Sequence, residues 1–494
     1  MSLRLIGLFA GKEGGSVKRI VLIVLGVVVG LSALGGAGFA AFLWRFTPDI
    51  PEANYSEPAD LTEARRQDLN YLRRFPEADK SFSEEQLVAF NALIDDLEAR
   101  VDTMSDAQFV MGVSAAGAIP ENGHSGVSIT GTLNRLNSLP VRFVWFGDGL
   151  HITRAHAEHS DLIGARVISY DGLEPAKITN EMDRYFGGND AFLRKSSALF
   201  FSAPASLHAA GLIANPDTIS VELLDLDGKT IVRKLTVEAA DQKTDFAYPS
   251  AYALGQVHSK ETESGNDWRF LDPAMTEATW YGRNPETLLW TDTLKNGGVY
   301  WRMRDIIGDD DAPVGEWLDQ QAKALRDDPA DYLVIDLRGN GGGDYTQAMG
   351  VAREVGELIK PDGRVYLLTD GDTFSAGIVT AYFAIHGAGD RAILAGAKMG
   401  DETQFWAEGG AKSMVLPNSE IRLFASTGYH DWENGCDDWS RCFWINILFG
   451  VAIGPVKVDL PAPLLFSDYK RGVDSGIEAI LAAEAERATA RSVQ

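Results

Sequence analysis

Two stretches decide the fold: Tyr332-Leu333-Val334-Ile335-Asp336-Leu337-Arg338-Gly339-Asn340-Gly341-Gly342-Gly343-Asp344, and further along Thr369-Asp370-Gly371-Asp372-Thr373-Phe374-Ser375-Ala376-Gly377. Each starts at or just after an apolar strand and runs through a polar, glycine-bearing loop into a helical pattern. Strand and helix signals alternate around them: Tyr332 to Leu337, a helix through Val351 and Val355, Val365 to Leu368, a helix from Ser375 to His386, then Ala392 to Ala395. A βαβαβ run with connections this short predicts parallel neighbours in one sheet, with chemistry at the carboxyl ends of the strands. Both loops fall at those ends. The glycine run frees successive backbone N–H groups beside a helix start, as an oxyanion hole or anion nest requires, and no Lys-Ser or Lys-Thr follows to make it a phosphate loop. Ser375 opens the second helix, where the helix dipole favours an oxyanion and the small Ala376 and Gly377 leave its hydroxyl open. An ordinary N-cap serine occupies the same position, and local spacing does not separate the two readings.

Working outward, residues 286–485 form the core containing these loops, followed by a tail at 486–494. Residues 241–285 mix Ser, Thr, Glu, Asn and Gly with isolated aromatics and read as a linker. Residues 140–240 read as a small β-rich domain: Val141, Phe143 and Trp145 alternate before the Gly147-Asp148-Gly149 turn, and Ile219–Leu224 and Ile231–Val237 are joined at Asp227-Gly228. Within 81–139, Ser83 with Gln86 and Ser105 with Gln108 are capping boxes that open two amphipathic helices, the first over 84–102. The second stops at Gly117, Pro120 and Gly123, which leaves His124 on a loop. Residues 45–80 read as a stalk followed by a polar helix. From Ile20 to Trp44 no charge occurs, and a helix of that length rises about 37 Å, enough to span a bilayer. Arg4, Lys12, Lys18 and Arg19 keep residues 1–19 in the cytoplasm, so 20–44 is a single transmembrane anchor at the inner membrane and the bulk of the chain is periplasmic or outside the cell. A cleaved signal peptide is the alternative, although its apolar stretch is normally shorter.

The 494 residues carry 45 Lys and Arg against 70 Asp and Glu, a net charge of −25 with a pI near 4.7, which argues against nucleic acid as a partner. The two cysteines, Cys436 and Cys442, exclude a disulfide framework or a Cys-rich zinc module. If paired, they staple one short loop, which suits an oxidising space. His151, His156 and His159 lack the spacing of a zinc site and read as a surface cluster. Trp432, Trp439 and Trp444 are either a cleft lining or ordinary packing.

The two loops, in this order and separation, resemble those of the C-terminal-processing (tail-specific) proteases and the tricorn core protease, serine peptidases with a crotonase-like or ClpP-like core. The resemblance extends from the helices near residue 84, through a PDZ-like segment around Leu162 to Ile168, to Val456–Leu460 and Gly472-Val473-Asp474, about four-fifths of the chain. It implies Ser375 as nucleophile and the N–H groups of Gly342 and Ala376 as oxyanion hole. The processing branch places its lysine base in a Thr-Phe-Gly-Lys-like turn. Here the sequence reads Gly396-Ala397-Lys398-Met399-Gly400-Asp401-Glu402, with Lys398 early and an acid where the lysine belongs. The tricorn branch uses histidine, and Asn122-Gly123-His124-Ser125 is similar to its histidine loop. Imidazole can take the serine proton and return it to the leaving amine. Glu402 is chosen to orient His124, with Glu433 as the alternative.

The expectation is therefore an α/β catalytic core with parallel strands, N-terminal helices, a PDZ-like insert and a membrane anchor. It would hydrolyse peptide bonds in peptide or protein substrates with no metal or organic cofactor. The rival is an inactive family member that binds peptides as a scaffold. Acyl-CoA chemistry on a crotonase-like core is disfavoured by export from the cytoplasm.

Overall fold

The computed structural model describes residues 38–239, 268–271, 278–285, 287–308, 313–409 and 412–492. The expected cytoplasmic tail, residues 20–37 of the expected anchor and most of the expected linker lie outside these residues. Residues 38–46 are helical, and no helix among the described residues is long and apolar enough to cross a membrane.

Helices α1 (Leu61–Leu72), α2 (Glu84–Arg100) and α3 (Asp106–Ala118) come first. Both capping boxes form: the Ser83 and Ser105 hydroxyls accept from the N–H groups of Gln86 and Gln108, whose side chains bond back. The polar helix expected within 45–80 forms as α1 and packs on the helices that follow. Leu69, Leu72 and Phe75 recur at helical spacing and are fully buried in one core with Phe90, Ile94 and Leu97 of α2.

The next unit is an antiparallel sheet of β1 (Val141–Phe146), β2 (Gly149–His156), β3 (Arg166–Tyr170), helix α4 (Asp190–Ser202), β4 (Thr218–Leu224) and β5 (Thr230–Thr236), with strands in sequence order. Its hairpin closes at the expected turn, Phe146 opposite Gly149. The expected linker contributes to this sheet as well: β6 (Trp268–Phe270) pairs antiparallel with β2, and Trp268 is buried. Large apolar groups at 268–271 and Tyr281 supply burial that a free linker would lack.

The core continues with β7 (Leu289–Leu294), β8 (Gly298–Met303), α5 (Val314–Asp327), β9 (Ala330–Asp336), α6 (Thr346–Glu354), β10 (Ile359–Thr369), α7 (Ala376–Ala388), β11 (Ala392–Gly396), β12 (Gln404–Ala407), β13 (Gly428–Asp431), β14 (Leu460–Pro461) and α8 (Ser475–Ser492). Its main sheet has the order β14-β11-β10-β9-β8-β7 and is parallel except for the β7–β8 hairpin; Val334 sits opposite both Tyr300 and Tyr366. Nearly every residue of β9 is buried, as in a strand covered on both faces, which is why its sequence runs apolar without alternation. Helix α7 is buried around almost its whole circumference, so the residue that opens it is fixed to the core.

Beneath the two loops lies a charge cluster. Asp336 and Asp474 clamp the Arg338 guanidinium with four hydrogen bonds of 2.7–3.0 Å, Tyr300 donates to Asp336 at 2.7 Å, and Arg302 donates to the Arg338 carbonyl at 2.6 Å. All of these side chains are nearly inaccessible. The two guanidiniums and the hydrogen bonds from Arg338 and Tyr300 outweigh desolvation and hold the Asp336 carboxyl well below the usual carboxylate range. Such a cluster tolerates no missing member, because a buried charge left alone is more costly than the pair is favourable. Asp474→Ala should lower the free energy of unfolding in urea by about 3–5 kcal/mol. A loss below about 1 kcal/mol, the scale of exposed pairs, would contradict the clamp.

Candidate active site

Ser375 leads into α7 with φ 51° and ψ −124°, and its hydroxyl makes no capping hydrogen bond. A capping serine has extended backbone angles and spends its oxygen on the helix amides, as Ser83 and Ser105 do here. Ser375 does neither. A positive φ on a non-glycine residue is strained by about 1–3 kcal/mol and persists only where its surroundings over-determine it. Those surroundings are visible. Asp370 Oδ1 accepts from the N–H groups of Gly339, Asp372 and Thr373, the Thr373 hydroxyl donates to the Leu337 carbonyl at 2.9 Å, and the Phe374 N–H donates to the Asn340 carbonyl at 2.9 Å. The two informative loops are thus tied side by side, with the serine held at a sharp strand-to-helix turn that exposes its oxygen.

Glycine is required opposite it. Gly342 has φ 118°, and a Cβ there would stand 2.7 Å from Ser375 Cβ. Of the two amides expected to form an oxyanion hole, Ala376 N–H is the first of its helix and has no intrahelical acceptor. Gly342 N–H donates to Asn340 Oδ1 at 3.0 Å, so in this state it is occupied. Asn340 is itself fully buried and donates to the Met303 carbonyl at 3.0 Å.

His124 reaches the site from the loop after α3. Its ring lies between Phe374 (centroids 4.3 Å) and Phe405 (5.2 Å), beside the residue preceding the serine. Gly123 permits this approach, since a Cβ there would be 3.0 Å from the Phe374 ring. The acid facing the imidazole is Asp401, with Oδ2 3.3 Å from Nδ1 and a side chain only 7% exposed. Glu402, the residue chosen from the sequence, is not the carboxylate found beside the imidazole. It is 58% exposed and pairs with Lys398 at 2.7 Å. Glu433 accepts from the Thr403 hydroxyl at 2.8 Å. Lys398 also pairs with Asp190 and takes no place beside the serine. Neither ring nitrogen of His124 makes a hydrogen bond among the described residues, and Ser375 and His124 line different cavities. The imidazole thus stacks on Phe374, the residue before the serine, and makes no hydrogen bond to Ser375 among the described residues.

The insert touches the same place. Phe192 of α4 stacks on Phe374 at 4.8 Å, Asn189 donates to the Met399 carbonyl, and Lys195 pairs with Asp372. Burial, with the Asp370 carboxylate beside it and against the pull of Lys195, pushes the Asp372 carboxyl up to about 7. None of these partners was legible in the sequence. Among the remaining sequence candidates, Cys436 and Cys442 are joined as a disulfide with Cα atoms 5.9 Å apart. The three histidines do not cluster at the surface: His151 is buried against Phe466 with its pKa lowered to about 4, chiefly by burial, while His156 faces Glu238. No metal-holding group of side chains occurs among the described residues. Trp432 is core packing, whereas Trp439 and Trp444 contact each other and Trp439 is exposed.

Two outcomes test this geometry. Ser375→Gly should be more stable than Ser375→Ala by about 1 kcal/mol or more in chemical denaturation, because glycine relieves the positive φ; equal stabilities would contradict a strained turn. Asp372 has a native pKa above its unfolded value near 3.8, so its contribution is complete below about 4 and is lost as pH rises through about 7. The unfolding free energy of the wild type should therefore fall more steeply over that interval than that of Asp372→Asn. Parallel profiles would contradict the shift.

Comparison with known proteins bears on the same elements. Residues 300–359, which include β9 and the glycine loop, match the model of peptidase family S41. The fold is similar to that of mature CPAF in complex with lactacystin, with 13% identity, TM-score 0.51, and 83% of this chain and 96% of that chain covered. Weaker likenesses are to the photosystem II D1 C-terminal processing protease (12%, TM-score 0.34, 82% and 94% covered) and the tricorn protease (13%, TM-score 0.32, 86% and 36% covered). No curated protein sequence matches the chain. The match over residues 300–359 and the likeness of the fold to CPAF are what the comparisons establish: an S41-like segment at the centre of the sheet that carries the serine loop, within a fold of the CPAF type.

Proposed function

We propose that the chain is an endopeptidase in which Ser375 attacks the scissile carbonyl and His124 carries the proton. The observation that carries this reading is the serine itself, held at φ 51° with a free hydroxyl beside the unpartnered Ala376 N–H. The attack forms the bond from Ser375 Oγ to carbon; its proton passes to the imidazole and then to the leaving amine as the peptide bond breaks. Ala376 N–H meets the charge on the carbonyl oxygen, and Gly342 N–H joins it on release from Asn340. Asp401 keeps the imidazole in register. His124 must leave its stack between Phe374 and Phe405 to meet the hydroxyl, since catalytic hydrogen bonds commonly tighten only with substrate in place. Water then releases the acyl group by the same steps in reverse. Deployment at the inner membrane, with residues 20–44 as anchor and the catalytic unit outside the cytoplasm, is supported by the uncharged stretch, the preceding basic residues and the Cys436–Cys442 bond. The exposed edge strand β5 offers a place for a peptide to add to the insert's sheet.

A peptide-binding scaffold is the second reading, favoured by the imidazole's having no hydrogen bond among the described residues. A fluorophosphonate probe separates the two. Wild type should be labelled at Ser375, Ser375→Ala not at all, and His124→Ala and Asp401→Asn roughly 100-fold or more slowly, and tenfold or more slowly, respectively. Peptide binding without labelling of wild type would establish the scaffold instead.

A further inference from the structure

We propose that the cavity beside Ser375 is the pocket for the residue preceding the scissile bond and that Glu408 makes it select lysine or arginine. The inference rests on the peptidase reading and adds its substrate class. The cavity holds about 210 Å³, against the roughly 10–15 Å³ one water requires, so it has room for a side chain. Ser375 and Ala376 form part of its wall, so an acyl carbonyl seated between them directs its own side chain into it. Val379, Phe405, Ala407, Phe443 and Ile445 make the walls apolar, while Asp344 and Glu408 bring two carboxylates and no lysine or arginine lines it. An apolar sleeve ending in a carboxylate fits a long aliphatic stem with a cationic head.

A buried imidazole stands beside the carboxylate. Tyr345 donates its hydroxyl to Asn446 Oδ1 at 2.7 Å, which turns the amide nitrogen toward His430 Nδ1 at 2.8 Å. That nitrogen must accept, so in the neutral ring Nε2 carries the hydrogen, and Nε2 lies 3.3 Å from Glu408 Oε1. His430 is 1% exposed, lines the cavity, and Nε2 has no hydrogen bond in the described structure. With Nδ1 accepting from Asn446, the imidazole adds no positive charge beside the Glu408 carboxylate. Glu408 also holds a positive φ of 70°, fixed where its carbonyl accepts from Thr427 Oγ1 at 2.6 Å. With a net charge of −25, the whole chain attracts a basic peptide.

The test uses the full chain and peptidyl diphenyl phosphonates that differ only in the residue nearest phosphorus, with a simple fluorophosphonate alongside. Arginine and lysine probes should inactivate wild type at least about tenfold faster than leucine and phenylalanine probes, and Glu408→Gln should reduce that ratio about tenfold or more. Glu408→Asp should retain a basic preference, and the positioning variant His430→Phe should lower the ratio. Each ratio is internal to one variant, so partial misfolding cancels. Equal or faster reaction of leucine or phenylalanine probes with wild type, or an unchanged ratio in Glu408→Gln, overturns the pocket assignment while leaving the peptidase reading intact. Failure of the fluorophosphonate to label wild-type Ser375 overturns the peptidase reading and this inference with it.

Discussion

A serine does not sit at φ 51° and ψ −124° unless its neighbours deny it every easier conformation. Ser375 is hemmed in on one side by a glycine that leaves no room for a Cβ, on another by a loop whose amides converge on Asp370, and behind by a helix buried almost all round. The strain is stored locally and sustained by the rest of the core. That is why the charge cluster of Asp336, Arg338 and Asp474 lies directly beneath. It locks the end of β9 to the C-terminal helix, so the glycine loop has a fixed floor.

The site is also an assembly of distant segments. The imidazole comes from a loop after the third helix, the acid facing it from beyond the last long strand, and the aromatic and ionic buttress of the Ser375 loop from the helix of the insert. Five ring contacts run from Phe192 through Phe374, His124, Phe405 and His430 to Phe443, with planes within 25° of parallel at every step. This column couples the insert, the histidine and the cavity wall. It also fixes the imidazole in the stack between Phe374 and Phe405.

The sequence was most informative where periodicity and turn chemistry are local. The strands and helices around both loops, the two capping boxes, the hairpin at Gly147–Gly149 and the position of His124 on a loop all follow from short-range rules. It was least informative where the answer depends on which side of a turn a residue faces. Glu402 and Asp401 are adjacent, both acidic and equally placed after β11, yet Asp401 faces the imidazole and Glu402 pairs with Lys398. Asn340, within the glycine run, gave no sign that its amide would occupy the Gly342 N–H. In the stretch at 45–80 charge outweighs the few apolar residues, yet Leu69, Leu72 and Phe75 suffice to dock its helical end in the core.

The central claim is that Ser375 is a nucleophile held under strain, with an imidazole able to reach it. The most direct measurement is a crystal structure of the protein after treatment with diisopropyl fluorophosphate. The account predicts continuous density from Ser375 Oγ to phosphorus, a phosphoryl oxygen on Ala376 N–H, and His124 moved out from between Phe374 and Phe405 toward the adduct. An unmodified Ser375 with His124 still stacked, or an adduct on another residue, would contradict it.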